Sequence, residues 1–253
     1  MPHLTELGAI RARLERDTAW AAFSLADLEP VHRPHASWFG PAEGSAVVLV
    51  YAAYDPPIVF CQGSVAEVDA LLGEPDVVRL TARAYLNVMP ALLHVTGRHF
   101  SVFEGRSMVR MRLEPERFQP HDSAPVERLG PEHLDEVRAL YADDPPAFFL
   151  PSQLRDGVYF GRRERGMLVA VAGTHVVSAA YAVGAIGNVY TRPDCRGRGY
   201  ASEVTAAVAV ELRRLGAATI VLNIVAANVQ ARRVYERIGF REYCVYYEGV
   251  ATR

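Results

Sequence analysis

The sequence predicts a mixed α/β protein built in two halves. Strand-like apolar runs alternate with helical periodicities along both halves. Between them lies "EPERFQPHDSAP", which carries Pro115, Pro120 and Pro125 and few apolar residues, the signature of a linker or long crossing loop. The chain has 253 residues, 50% of them hydrophobic and 22% charged, which suits one large domain or two small ones. The expected division is an α/β domain over residues 1–120 and a second domain over 126–253.

In the first half, residues 4–16 read as a helix and "SAVVLVYAAY" (45–54) as a buried strand. "SVAEVDALLG" (64–73) combines a Ser cap, Glu67 three residues on, apolar Val65, Val68 and Leu72, and a closing Gly73, so it predicts a short capped helix. "HFSVF", "EGR" and "SMVRMRLEP" predict a hairpin, with Val109, Met111 and Leu113 facing a core. In the second half, "PEHLDEVRALYA" (131–142) predicts a helix with Pro131 near its start and Leu134, Val137, Leu140 and Tyr141 on one side. "GVYFGRR" and "GMLVAVAGTHVV" predict antiparallel strands around a charged turn, and "GAIGNVYT" another strand. Residues 200–215 predict a helix burying Val204, Val208, Leu212 and Leu215 and ending at Gly216. "ATIVLNIV" (218–225) is a strand buried on both faces. "NVQARRVYERIG" is a helix with Ala231, Val234, Tyr235 and Ile238 inward, and "FREYCVYYEGV" a last strand.

Several function classes are excluded early. The formal charge of −2 gives no electrostatic case for nucleic-acid binding. Cys61, Cys195 and Cys244 are far apart, with no CxxC or Cys/His cluster, so neither a metal site nor a disulfide framework is expected. Cys195 lies among arginines, but no histidine stands at a spacing that would make it a nucleophile. The N-terminus has acidic residues and no apolar core, unlike a signal peptide, and no apolar run reaches the ~18 residues of a membrane span. A cytoplasmic protein without membrane or nucleic-acid partners is expected; a homodimer is compatible with the sequence.

The chemistry gathers at "TRPDCRGRGYAS" (191–202), where Gly197 and Gly199 stand among Arg192, Arg196 and Arg198 at the mouth of a helix. A helix N-terminus presents unpaired N–H groups and a partial positive charge, and glycine lets an anion approach the backbone closely. The P-loop pattern fails because no lysine follows either glycine. The dinucleotide pattern fails at its third glycine, where Ser202 stands, and the antiparallel strands before the loop argue against a βαβ unit.

What remains is a strand, then R-G-x-G-x-A opening a helix. Here the sequence resembles the GNAT superfamily of acyl-CoA N-acyltransferases. Arg196, Gly197, Gly199 and Ala201 match its Q/R-x-x-G-x-G/A pyrophosphate loop in a shifted form. Downstream, "LNIVAANVQARRVYERIGF" matches the family's L-x-V-x-x-x-N-x-x-A-x-x-x-Y-E-x-x-G-F at Leu222, Asn228, Ala231, Tyr235, Glu236, Gly239 and Phe240. The resemblance covers roughly residues 126–253 and makes these the catalytic N-acetyltransferase domain. It implies a mixed, mostly antiparallel sheet with two splayed parallel strands, 184–191 and 218–224, and flanking helices.

The resemblance implies acetyl-CoA as cosubstrate. Its pyrophosphate would meet the backbone of Arg196, Gly197, Arg198, Gly199, Tyr200 and Ala201. Its pantetheine arm would run along Val189, Tyr190 and Thr191, and Asn228 would touch it from the next helix. Tyr235 would protonate the departing thiolate, and a strand N–H near Val189 would hold the oxyanion. Many relatives carry a glutamate early in the strand before the loop; Ala185 stands there in this chain. The base is therefore open among Tyr190, His175, Glu203 and a water wire. The expected acceptor is a small-molecule or amino-acid-like amine. Asp143 and Asp144 could attract a cationic amine, with Phe148 and Phe149 as an apolar wall, although Asp-Asp-Pro-Pro is also ordinary turn chemistry. The layout resembles the glycine N-acyltransferase-like group, whose first half is a degenerate copy of the fold. The alternative is a non-catalytic acyl-CoA-binding regulatory protein that kept the loop and lost the base.

Overall fold

The computed structural model describes residues 3–120, 125–146 and 148–253; residues 121–124 of the expected linker, and residue 147 of the expected acceptor loop, lie outside the described residues. The elements run α1 (Leu7–Leu14), α2 (Ala22–Ala26), β1 (Ala36–Phe39), β2 (Val47–Tyr51), β3 (Ile58–Gln62), α3 (Val65–Leu72), α4 (Pro75–Leu80), β4 (Arg83–Val88), α5 (Leu93–His99), β5 (Val102–Leu113) and β6 (Val126–Arg128). They continue α6 (Leu134–Leu140), α7 (Ser152–Asp156), β7 (Phe160–Glu164), β8 (Met167–Ser178), β9 (Val183–Thr191), α8 (Tyr200–Arg214), β10 (Thr219–Val225), α9 (Val229–Ile238) and β11 (Phe240–Thr252). Pairing is mostly antiparallel, and β3–β4 and β9–β10 are parallel. Among the described residues no helix is long and apolar enough to cross a membrane.

The chain forms two compact units: residues 1–110, 225–227 and 244–253, and residues 111–224 and 228–243. The sequence division into 1–120 and 126–253 does not coincide with them. The physical reason is β11, whose Tyr247–Thr252 stretch pairs antiparallel with Val88–Arg83 of β4 and so builds the end of the chain into the first unit. That unit has strand order β1-β2-β3-β4-β11-β5 and a core of Val48, Val50, Val68, Leu72, Leu86 and Val95. Its α3 has the expected capping box: the Glu67 N–H donates to Ser64 Oγ, and the Glu67 carboxylate accepts from the Ser64 N–H.

The hairpin expected after Phe100 is instead the single strand β5. A two-residue hairpin turn needs a left-handed residue, and Gly105 is not among the glycines with positive φ. Gly249 of β11 explains the straight passage, since a Cβ there would overlap the Glu104 carbonyl. The bare backbones meet where a turn would otherwise form.

The second unit has strand order β10-β9-β8-β7-β6. One face of β9 is covered by α8, and Gly184 permits it: a Cβ there would stand 2.9 Å from the Leu212 methyl groups. Val204, Val208 and Leu212 are fully buried as expected, whereas Leu215 is 36% exposed because the helix ends at Arg214 and Leu215 is its cap. On the other face, Leu129, Val137, Leu140, Tyr141, Tyr159 and Tyr190 form the core beneath α6.

Candidate active site

The Arg-Gly loop is built as its glycines require. Gly197 and Gly199 have φ of +78° and +86°, the left-handed region that glycine enters without penalty, and nothing lies within 4 Å of a Cβ placed on either. Gly199 is the N-cap of α8 and has no capping side chain. Among the described residues no backbone carbonyl accepts from the N–H groups of Gly197, Arg198, Gly199, Tyr200 or Ala201. The result is an open cradle of donors at the positive end of a fifteen-residue helix. Beside it, Thr191 Oγ1 is buried without a hydrogen-bond partner among the described residues. A buried hydroxyl left unpaired costs about 1–3 kcal/mol, so a ligand group there would relieve it.

The three arginines differ. Arg196 has no carboxylate partner among the described residues; its Nε donates to the Thr191 carbonyl at 3.1 Å, and its guanidinium lies 5.9 Å from the centre of the Tyr190 ring. Arg198 donates to both carboxylate oxygens of Glu164 at 2.8 Å, and Arg192 is held by Asp194 at 2.6 and 2.9 Å. At the cradle, Arg196 is thus the arginine without a carboxylate partner among the described residues, and Arg198 is paired with Glu164.

Beside the loop, β9 and β10 separate. Their register runs from Val183↔Thr219 to Ile186↔Leu222, but β9 continues to Thr191 and β10 to Val225. Between Gly187 and Tyr190 the β8 register also skips, leaving Asn188 and Val189 in a bulge where Asn188 has φ +53°. A bulge frees backbone groups and redirects them, so this stretch presents an unpaired strand edge next to the cradle.

A polar network holds the bulge. The Tyr141 hydroxyl donates to the Asn188 carbonyl at 2.6 Å. Asn188 Nδ2 donates to the Tyr159 hydroxyl at 2.7 Å and to Gln153 Oε1 at 3.1 Å. Burial pushes both tyrosine hydroxyls up, so they stay protonated donors. Tyr141, Gln153 and Tyr159 were not expected at the site. The one available signal was Gly-Asn inside a strand pattern, which marks a bulge.

In α9, Asn228 Oδ1 accepts from the Ala231 N–H at 3.0 Å, so Asn228 is the helix cap and its amide nitrogen is not spent on that bond. Tyr235 is 8% exposed and packs at 6.2 Å from Phe240; burial pushes its hydroxyl up. A phenol in that state keeps its proton at neutral pH. Gly239 ends the helix at φ +115°, and a Cβ would stand 2.6 Å from the Arg117 carbonyl.

The candidate bases separate clearly. Tyr190 is buried in the core, its ring 5.8 Å from that of Tyr141. Glu203, in the first turn of α8, faces Arg162 at 3.4 Å, an ion pair without the alignment of a hydrogen bond. Ala185 is fully buried. The imidazole of His175 lies against Gly187, where a Cβ would overlap Nε2. Of the expected acidic pocket, Asp143 and Asp144 are exposed, and Phe149 is partly buried and packs edge-on against Tyr141 at 5.2 Å and Tyr159 at 6.2 Å. Among the described residues no group of His, Cys, Asp and Glu could hold a metal ion.

Comparison with known proteins places these elements in context. Residues 162–248, from β7 into β11, match the family described as FR47-like protein. No curated protein sequence matches the chain. Among solved structures it is similar to a putative GNAT-family acetyltransferase from Novosphingobium aromaticivorans, with 21% identity over 92% of this chain and 96% of that one and a TM-score of 0.62. It is similar to a GCN5-related N-acetyltransferase from Kribbella flavida, with 21% identity over 90% and 95% and a TM-score of 0.64. A GNAT-family acetyltransferase from Colwellia psychrerythraea covers 99% of this chain and 98% of its own length at 15% identity, with a TM-score of 0.59. The chain thus has the fold of GNAT acetyltransferases over nearly all of its length, and the FR47-like match falls on the elements that build the cradle and the splayed strands.

Proposed function

We propose that the chain is an acyl-CoA-dependent N-acyltransferase that moves an acetyl group from acetyl-CoA to the amine of a small-molecule or amino-acid-like acceptor by direct attack. The observation that carries this reading is the opening between β9 and β10 beside an unfilled glycine cradle. The unpaired hydroxyl of Thr191 also supports it. Acetyl-CoA supplies an activated thioester and a pyrophosphate when bound. The N–H groups of Gly197 through Ala201 hold the pyrophosphate, with Arg196 adding charge. The edge of β9 at Val189, Tyr190 and Thr191 pairs with the pantetheine amides, and a bulge N–H near Val189 steadies the developing oxyanion. Asn228 contacts the same arm from α9. Tyr235 delivers a proton to the departing sulfur.

The finer assignment is to the glycine N-acyltransferase-like group. Both units share a topology in its favour: β3 returns through helices to a parallel β4, as β9 returns through α8 to β10. The first unit would then be a degenerate copy. Calorimetric titration of acetyl-CoA, with ATP and NAD as controls, tests the cofactor. Stoichiometric binding of acetyl-CoA alone is expected, followed by amine-dependent thiol release. No binding by folded protein would end the reading. A second reading, a non-catalytic acyl-CoA-binding regulator, is favoured by the absence of a carboxylate at Ala185. Binding without turnover on any amine would select it.

A further inference from the structure

We propose that His175 is the group that takes the proton from the incoming amine, the role left vacant at Ala185. The inference rests on the acyltransferase reading above and assigns a residue to its undetermined step. An amine is mostly ammonium at neutral pH and must lose a proton before its nitrogen can attack.

Both faces of β9 carry packing, α8 on one and the core beneath α6 on part of the other. On one face of β9, Gly184 lies under Leu212, so α8 closes that side. Side chains alternate along a strand, so Ala185 and Gly187 share the opposite face. On that face β8 contributes a second bulge. Its register steps from Thr174↔Ile186 to Val176↔Ala185, leaving His175 as the extra residue. A bulge re-aims side chains, and here it lays the imidazole on Gly187. Glycine at 187 leaves room for the ring in this place, because a Cβ would overlap Nε2 and push the imidazole away. The imidazole therefore stands on the residue immediately before Asn188 and Val189, the bulge that presents the strand edge to a thioester carbonyl.

No other candidate base shares this position. Tyr190 belongs to the core, and Glu203 is on α8, paired with Arg162. Histidine is chemically suited, since an imidazole nitrogen that carries no proton can accept one and pass it on. The protons balance as follows. Of the ammonium's three hydrogens, one stays on the amide and one goes to His175 Nε2 and on to solvent. The third replaces, through solvent, the proton that Tyr235 gives to the thiolate. The C–N bond forms and the C–S bond breaks.

The test uses two probe amines, ethylamine, which is protonated at pH 7, and hydroxylamine, which is mostly neutral there. For His175→Gln, ethylamine-dependent thiol release should fall by about 10²–10⁴-fold, the range of a lost general base. Hydroxylamine-dependent release above the uncatalysed rate should change little, and acetyl-CoA affinity measured by calorimetry should be unchanged. Gly187→Ala, whose methyl must displace the imidazole, should show the same selective loss if His175→Gln does not fold. Equal losses with both amines would overturn the proposal, because they indicate a structural role. Activity retained with both would overturn it as well, as would an unaltered protein that binds acetyl-CoA and turns over neither amine. Failure of the unaltered protein to bind acetyl-CoA would show separately that the cofactor reading itself had failed.

Discussion

Gly199 offers a test in which folding and binding can be separated. Its φ of +86° costs an L-residue about 1–2 kcal/mol, so Gly199→Ala is destabilising even though its Cβ meets nothing within 4 Å. Gly216, just past the other end of α8, is a matched control: φ is +91° and its Cβ position is equally open. Gly199→Ala and Gly216→Ala should therefore each lower the melting temperature by roughly 2–8 °C. Only the first adds a methyl group at the start of α8, within the open cradle. Losing one charge-assisted hydrogen bond to a phosphate, worth about 1.5–3 kcal/mol, weakens binding by about 10- to 100-fold. Calorimetry of acetyl-CoA with both variants should show that loss for Gly199→Ala and unchanged affinity for Gly216→Ala. Equal affinities would refute the cradle, and equal losses would show that strain alone governs binding.

Tyr235→Phe should leave acetyl-CoA affinity intact and lower kcat by about 10²–10⁴-fold, as expected for a proton donor that burial keeps protonated; an unchanged kcat would make Tyr235 packing alone. Arg196→Ala should weaken acetyl-CoA about tenfold or more, whereas Arg198→Ala, whose guanidinium Glu164 already holds, should change affinity by less than about threefold; titration of the two variants side by side decides. Glu67→Gln should destabilise the first unit by about 1 kcal/mol at pH 7, a figure reduced for solvent screening. Hydrogen bonds from the Ser64 hydroxyl and the Ser45 N–H hold the Glu67 carboxyl down at about 2, so its contribution is complete above the ordinary carboxylate range and fades as the pH falls toward 2; urea unfolding of both proteins across that interval should converge at the acid end.

The parts legible in the sequence are those decided by residues a few positions apart. Ser64 and Glu67 cap α3 through a bond spanning three residues, and Asn228 caps α9 the same way. Gly197 and Gly199 reveal the cradle because a left-handed turn into a helix leaves few residue choices. Where distant partners decide, local reading fails. Gly105 reads locally as a turn, yet the structure keeps it in a strand, with the backbone of Gly249 from another strand close against Glu104 and Gly105. Arg198 looks like a phosphate ligand until Glu164, 34 residues earlier, is brought to it. Phe149 reads as a free apolar wall, and the structure sets it, partly buried, against Tyr141 and Tyr159. The network around Asn188 joins three separate elements, and the only sign of it is a Gly-Asn pair that breaks a strand pattern.

The two units explain each other's capacities when their parallel crossovers are compared. In each, a strand leads into a helix whose partner strand lies parallel, and each helix begins with an exposed set of backbone donors. At α3 the cap comes from within the chain: the Ser64 hydroxyl accepts from the Glu67 N–H, and the Glu67 carboxylate accepts from the N–H groups of Ser64 and Ser45 and from the hydroxyl of Ser64. Gly63, just before, is crowded, with the Ala46 backbone 2.5 Å from where its Cβ would be. An anion arriving there would have to displace a carboxylate already bound three ways and would find no approach to the backbone. At α8 the corresponding positions hold two uncrowded glycines, no capping side chain, and an arginine with no carboxylate partner among the described residues. The difference between the two helix starts thus follows from where the chain places its own negative charge. In the first unit a carboxylate takes part in the cap and contributes to stability; in the second the donors at the start of α8 have no such partner among the described residues.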